Sequence, residues 1–204
     1  MVKAIYLKEN EPYPNNPLPV LYYENMLENA LHEDYTADDV IAFFVRNGYD
    51  NGWANGILAE HHFHSTAHEA LACTKGEVTV QLGGPNAAFY TLRKGDVILL
   101  PAGTGHKKLN ASENFEIVGA YPKNGSEHDM QYGHASDYDA ILATVADVPK
   151  PLTDPVTNSP KDIEEYWMLI DITSRAKVPV RFSHNYAFNS LDNSIIRSTD
   201  SSKY

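Results

Sequence analysis

Nine histidines occur in the 204-residue chain, and four of them, His61, His62, His64 and His68, fall within eight residues. Residues two apart on a strand point to the same face, so His62 and His64 can hold one ligand between them. Glu69 has the opposite parity to His64. It joins the pair only if Ser65-Thr66-Ala67 turns or bulges and resets the alternation, which three small residues permit. Further along, Pro101 ends a strand and Gly103 allows a tight bend that aims His106 inward. Three neutral imidazoles and one carboxylate suit one divalent transition metal: Fe, Mn, Co, Ni, Cu or Zn. His62, His64, Glu69 and His106 are the expected ligands. A six-coordinate ion would keep two positions for water, a bidentate substrate or dioxygen. A closed structural zinc site usually needs thiolates, and Cys73 is the single cysteine.

The neighbouring polar residues have weaker claims. His61 is adjacent to His62 and so faces away from it, which reads as a surface or interface histidine. His68 is the candidate proton carrier, placed behind the ligands or at the mouth of the site, with an alternative ligand or plain packing as its other readings. Lys107 and Lys108 either hold an anionic substrate group or lie exposed in solvent. Tyr121 reads as wall packing with a hydroxyl available to a ligand. Cys73 shares parity with Leu71 and reads as a small buried hydrophobe. The chain has no Gly-x-Ser-x-Gly elbow, and Gly83-Gly84 lacks the Gly-Lys-Ser/Thr of a phosphate loop.

The elements that must position these residues are mainly strands. Val78, Val80 and Leu82 alternate with Glu77, Thr79 and Gln81, a half-buried strand. Gly83 to Asn86 turns the chain, Phe89 to Leu92 returns it, and Lys94-Gly95 turns it again. Val97 to Leu100 and Phe115 to Tyr121 follow as apolar strands. Short strands every ~8–12 residues argue an antiparallel sandwich or barrel. Helices are expected near 37–47, 137–146 and 160–170. Thr36 with Asp39 forms a capping box for the first, Ser136 with Asp139 a cap for the second, and Ser159-Pro160 a start for the third. The proline-rich stretch from Glu11 to Pro19 cannot pair inside a sheet and reads as an arm or edge strand.

Two spacings carry a resemblance. Gly56, His62, His64, Glu69 and Gly76 fit one cupin signature, and Gly95, Pro101, Gly103, His106 and Asn110 fit the other. With the wider text from Trp53 to Ile57, His61 to Glu69 and Pro101 to Lys107, the chain resembles the YjlB-like branch of the RmlC-like cupins. The resemblance implies an all-β double-stranded β-helix, a jelly-roll barrel with helical flanks and one metal. A single domain is expected over 1–170 with its core near 53–122; the stretch 171–204, rich in serine and asparagine and weakly periodic, lies beyond the resemblance and reads as a C-terminal extension that is either a packed arm or a mobile tail. Cupins often pair through edge strands, so a homodimer is expected. The superfamily includes dioxygenases, oxalate-degrading enzymes, isomerases, epimerases, storage proteins and sensors. The leading expectation is a metal-dependent enzyme of dioxygenase or oxidoreductase type acting on a small oxygen-rich metabolite. The alternatives are a non-catalytic small-molecule or metal-binding sensor, or an isomerase or epimerase using a His/Tyr acid–base pair.

Composition excludes other classes. Sixteen Lys and Arg against 27 Asp and Glu leave a net charge of −11, and no dense basic cluster exists to displace phosphate counterions. Nucleic acid and anionic membranes are therefore not expected partners. No apolar run approaches the ~18 residues of a membrane span, and Met1 to Asn10 lacks the apolar core of a secretory leader. With its lone cysteine, the chain is expected in a reducing cytoplasm.

Overall fold

The computed structural model describes residues 1–133 and 137–167, together with the backbone of two short strands at 186–188 and 194–197. Eleven strands and four helices are described. They run β1 (Val2–Ile5), β2 (Val20–Tyr23), α1 (Met26–Ala30), α2 (Ala37–Arg46), β3 (Tyr49–Asn55), β4 (Glu69–Lys75), β5 (Glu77–Leu82), β6 (Phe89–Arg93) and β7 (Val97–Leu100). After these come β8 (His106–Ala111), β9 (Glu116–Pro122), α3 (Tyr138–Asp147), α4 (Pro160–Tyr166), β10 (Tyr186–Phe188) and β11 (Ser194–Arg197). One sheet has the order β10-β11-β1-β2-β7-β4-β9-β3 and the other β6-β5-β8, with antiparallel pairing throughout. The two sheets form the expected β-barrel of jelly-roll type. Of the expected extension over 171–204, the described part is β10 and β11; β11 pairs with β1 on one side and with β10 on the other. The rest of it, and the expected end of the third helix at 168–170, lie outside the described residues.

The strands sort by how many faces they bury. In β5 the pattern alternates, with Val78, Val80 and Leu82 buried and Glu77, Thr79 and Gln81 facing outward. A one-residue slip would bury those three polar side chains and expose three apolar ones. Each of the latter stabilises the fold by ~1.5–3 kcal/mol when buried, so the register is fixed. By contrast β2, β4 and β7 are buried on both faces. Val20, Tyr22, Leu71, Cys73, Ile98, Leu100 and Ile117 fill the barrel interior with the β5 residues. Leu21, Tyr23, Ala70, Ala72, Val97, Leu99, Val118 and Ala120 face a second cluster outside it, closed by Phe44, Tyr49, Ile163 and Trp167. Glu69 shares parity with Leu71 and Cys73, and therefore projects into the barrel.

Two helices start as the sequence suggests, and one differs. Thr36 accepts from the Asp39 backbone N–H while the Asp39 carboxylate accepts from Thr36 N–H, a complete capping box. Pro160 opens α4. The cap of α3 is Asp137, whose carboxylate accepts from Ala140 N–H; Ser136, the expected cap, lies outside the described residues. The proline-rich arm lies against its own barrel. Asn15 donates from Nδ2 to the Lys8 and Gly83 carbonyls and accepts from Gly105 N–H, and its own N–H donates to the Gly103 carbonyl. Gly103 has φ +83°, and a Cβ there would crowd Val145 and Pro14, which accounts for glycine at this bend. Among the described residues no helix is long and apolar enough to cross a membrane.

Candidate metal centre

The two histidine-bearing segments are hydrogen bonded to each other. His62 N–H donates to the His106 carbonyl at 3.1 Å, His106 N–H returns to the His62 carbonyl at 2.9 Å, and Gly103 N–H donates to the His64 carbonyl at 2.7 Å. On the other side Phe63 pairs with Gln131. This ladder puts His62, His64 and His106 at one end of the barrel, next to Glu69 at the start of β4. The His62 and His106 rings are 4.1 Å apart, and His64 is 6.1 Å from His62 and 6.2 Å from His106.

The alternation is reset between His64 and Glu69 by a bend at Ser65-Thr66, and Asp129 holds that bend. Its carboxylate accepts from Ser65 N–H and Ser65 Oγ–H at 2.6 Å each, from Thr66 N–H at 3.2 Å and from Gln131 Nε2 at 2.8 Å. These bonds hold the carboxyl below the usual aspartate range, against the upward push of burial. Small side chains permit the bend, and a carboxylate 63 residues beyond Thr66 makes it.

Each imidazole is oriented through its Nδ1. His62 Nδ1 meets the Glu60 carbonyl at 2.9 Å, His106 Nδ1 meets the Thr104 carbonyl at 2.9 Å, and His64 Nδ1 meets the Asp129 carbonyl. A carbonyl oxygen only accepts, so every Nδ1 carries its proton, and in the neutral ring Nε2 presents a lone pair. Glu69 Oε1 accepts from Tyr121 Oη–H at 3.0 Å. Its other oxygen, Oε2, is buried without a hydrogen bond and stands 3.5 Å from Nε2 of both His64 and His106. Around a metal with bonds of ~2.0–2.2 Å, adjacent donors stand about 3–3.5 Å apart, so these spacings fit one ion. Among the described residues no group of three or more His, Cys, Asp or Glu side chains stands close enough together to hold a metal ion as it is. The orphaned Oε2 and the three carbonyl-held rings nevertheless form a donor set that suits a divalent transition metal.

Electrostatics point the same way. Burial pushes the His64 imidazole down, but the Glu69 carboxylate outweighs it and raises the ring to about 9. Burial pushes Glu69 up, and His64 outweighs it, bringing the carboxyl to about 2. Burial, with His62 beside it, takes His106 to about 3, and burial also lowers His62. A proton on His64 thus balances the Glu69 carboxylate while His62 and His106 stay neutral, and a metal ion bound here would displace that proton.

Above the cluster lies a cavity of about 250 Å³. Trp53, Ile57, Leu71 and Met130 give it apolar walls, and Tyr121 and His128 give it polar ones. Trp53 lies over Gly119, where any Cβ would meet the indole at 2.2 Å. Its Nε1–H reaches Tyr121 Oη at 3.4 Å. His128 stacks on Tyr121 with centroids 4.0 Å apart and planes within 3°, and its buried Nδ1 has no partner. Tyr121, read as wall packing, is thus a partner of Glu69. His128 belongs to no motif spacing; the only sequence signal for it is its place just past the last barrel strand at the Tyr121 end.

The other candidates lie elsewhere. His68, the expected proton carrier, does not line the cavity. It points to the outer face, 4.8 Å from the Trp167 ring, with Nδ1 accepting from Ala102 N–H, and burial drives it to about 3. The parity reset that brings Glu69 inward turns His68 outward. His61 faces away from the cluster as alternation requires, but it is buried rather than exposed, 5.4 Å from Tyr13 and bonded to Gln81. Lys107 and Lys108 are not among the cavity-lining residues; Lys108 lies over Phe115. Cys73 is buried in the barrel, as its parity suggests.

Comparison with known proteins adds the following. The cupin domain profile matches residues 53–118. The protein YjlB of Bacillus subtilis (strain 168), itself uncharacterized, is 33% identical over 167 residues, covering 81% of this chain and 96% of that one. Among solved structures, pumpkin seed globulin is 17% identical with a TM-score of 0.32, over 39% of this chain and 22% of that one, so the match spans about a fifth of the globulin. Acireductone dioxygenase from Bacillus anthracis, with a cadmium ion in its active center, is 17% identical with a TM-score of 0.34, over 54% of this chain and 82% of that one. Likenesses at this level carry no argument about the reaction.

Proposed function

The chain belongs to the cupin superfamily, in the branch represented by YjlB, and from that premise we propose that it is a metal-dependent enzyme of dioxygenase or other oxidoreductase type acting on a small oxygen-rich metabolite. The observation that carries the proposal is the donor set: three imidazoles locked through Nδ1 to backbone carbonyls, facing one buried carboxylate oxygen that has no hydrogen bond. His62, His64 and His106 would hold the ion through Nε2, and Glu69 through Oε2. The ion would be Fe, Mn, Ni, Cu or Zn, and when bound it supplies Lewis acidity or a path for electrons to a chelated substrate. Tyr121 fixes the Glu69 carboxylate through Oε1, leaving Oε2 aimed at the centre. Trp53, Ile57, Leu71 and Met130 exclude water. His128, rather than His68, faces the cavity and is placed to exchange a proton with a substrate oxygen.

Elemental analysis of protein purified without added metal tests this, with His106→Ala alongside. About one equivalent of a transition metal in the parent and none in the variant is the expected result; no metal, and none taken up on reconstitution, would contradict it. The stacked Tyr121–His128 pair favours one second reading, a metal-independent isomerase. Activity that survives chelation of the metal and removal of oxygen would select that reading.

A further inference from the structure

We infer that the cavity takes a small monoanionic ligand, with two adjacent oxygens at one end and a short apolar body at the other, of which a branched-chain 2-oxo acid is the simplest type. This rests on the metal-centre reading and adds to it the size, charge and shape of what binds there. Size follows from volume: about 250 Å³ falls below the ~300–1,000 Å³ of pockets for drug-sized ligands. Charge follows from what lines the walls. A dication beside the Glu69 carboxylate leaves one net positive charge for the chelating head. Among the described residues lining the cavity there is no lysine or arginine. A second carboxylate or a phosphate would lose its water against the buried Ile57 and Leu71 with no cation among those lining residues to meet it. Shape follows from the same apolar residues, which share the walls with Tyr121 and His128 above the His62, His64, Glu69 and His106 donors at the floor. The buried, unpartnered His128 Nδ1 supplies a hydrogen bond for an oxygen of the head.

The test uses the full chain loaded with Co(II), its cobalt content measured first. The protein is titrated with pyruvate, 4-methyl-2-oxopentanoate and 2-oxoglutarate, following the visible cobalt absorption. The three probes share one chelating head and differ in the body. The expected result is that 4-methyl-2-oxopentanoate binds at least about tenfold tighter than either of the others, the gain over pyruvate coming from its buried carbons. Met130 sits at the rim, 41% exposed, so Met130→Lys adds a cation there without disturbing the core and should shift the preference toward 2-oxoglutarate by about tenfold. Equal binding of all three, or tighter binding of 2-oxoglutarate by the parent, would overturn the inference and leave the metal centre standing. A chain that takes up no cobalt would overturn both.

Discussion

At the floor of the cavity the imidazoles are anchored by main-chain carbonyls within or beside the barrel ladder, whereas along the wall His128 and Met130 ride on a loop moored by the Asp129 side chain. The two meet at one residue: Asp129 gives its carbonyl to His64 and its carboxylate to the Ser65-Thr66 bend. The floor is thus built from backbone bonds that many side chains at flanking positions would tolerate, while the wall depends on one carboxyl group. On the proposed reading, the floor would set the ion and the wall the ligand.

The sharpest way to separate floor from wall is Glu69→Gln. It removes the only anionic donor while preserving shape and the acceptor for Tyr121, and it should weaken metal binding by at least about 100-fold in competition with a chromophoric chelator. His128→Leu, at the wall, should leave metal affinity unchanged in the same assay. If the two variants lose metal equally, the division fails.

Asp129→Ala should fall between them, because it cuts the wall loose and frees the His64 bend together. Loss of supporting hydrogen bonds behind a ligand typically costs ~10–100-fold in metal affinity, and that range is expected here. Several charge-assisted hydrogen bonds also disappear, so urea unfolding should show a loss of about 2 kcal/mol. Unchanged metal affinity in this variant would leave the wall with no hold on the floor.

The smallest effect is on acid stability. The Asp129 carboxyl is held below its unfolded value, so the folded state binds fewer protons than the unfolded state between the two. Its contribution is present above the unfolded value near 3.8 and is lost as pH falls through the folded one. Asp129→Asn should therefore flatten the acid limb of the stability profile relative to the parent. An identical acid limb would mean that Asp129 is not held as described.

The floor was far more legible in the sequence than the wall, for a physical reason. Ligands on paired strands must recur at spacings set by a two-residue period and by the turns between strands, so His62, His64, Glu69 and His106 stand at readable intervals. The interior parity of Val78, Val80 and Leu82 follows the same rule. Asp129, His128 and Met130 obey no period, because a loop crossing the barrel mouth can bring them there from any length of chain. His68 illustrates the limit from the other side: the bend that makes Glu69 a floor residue could be anticipated, but which neighbour it would turn outward depended on Asp129. Helix α1 escaped notice because five residues carry too little periodicity, and β3, Tyr49–Asn55, because its Asn and Gly content reads as a turn.

The most direct test of the central claim is a crystal of the protein grown with one equivalent of cobalt or zinc, with diffraction measured on both sides of the metal's absorption edge. A single anomalous peak within about 2.0–2.3 Å of Nε2 of His62, His64 and His106 and of Oε2 of Glu69 is the predicted result. An anomalous map with no peak among those four atoms, or with its peak on other side chains, would contradict it.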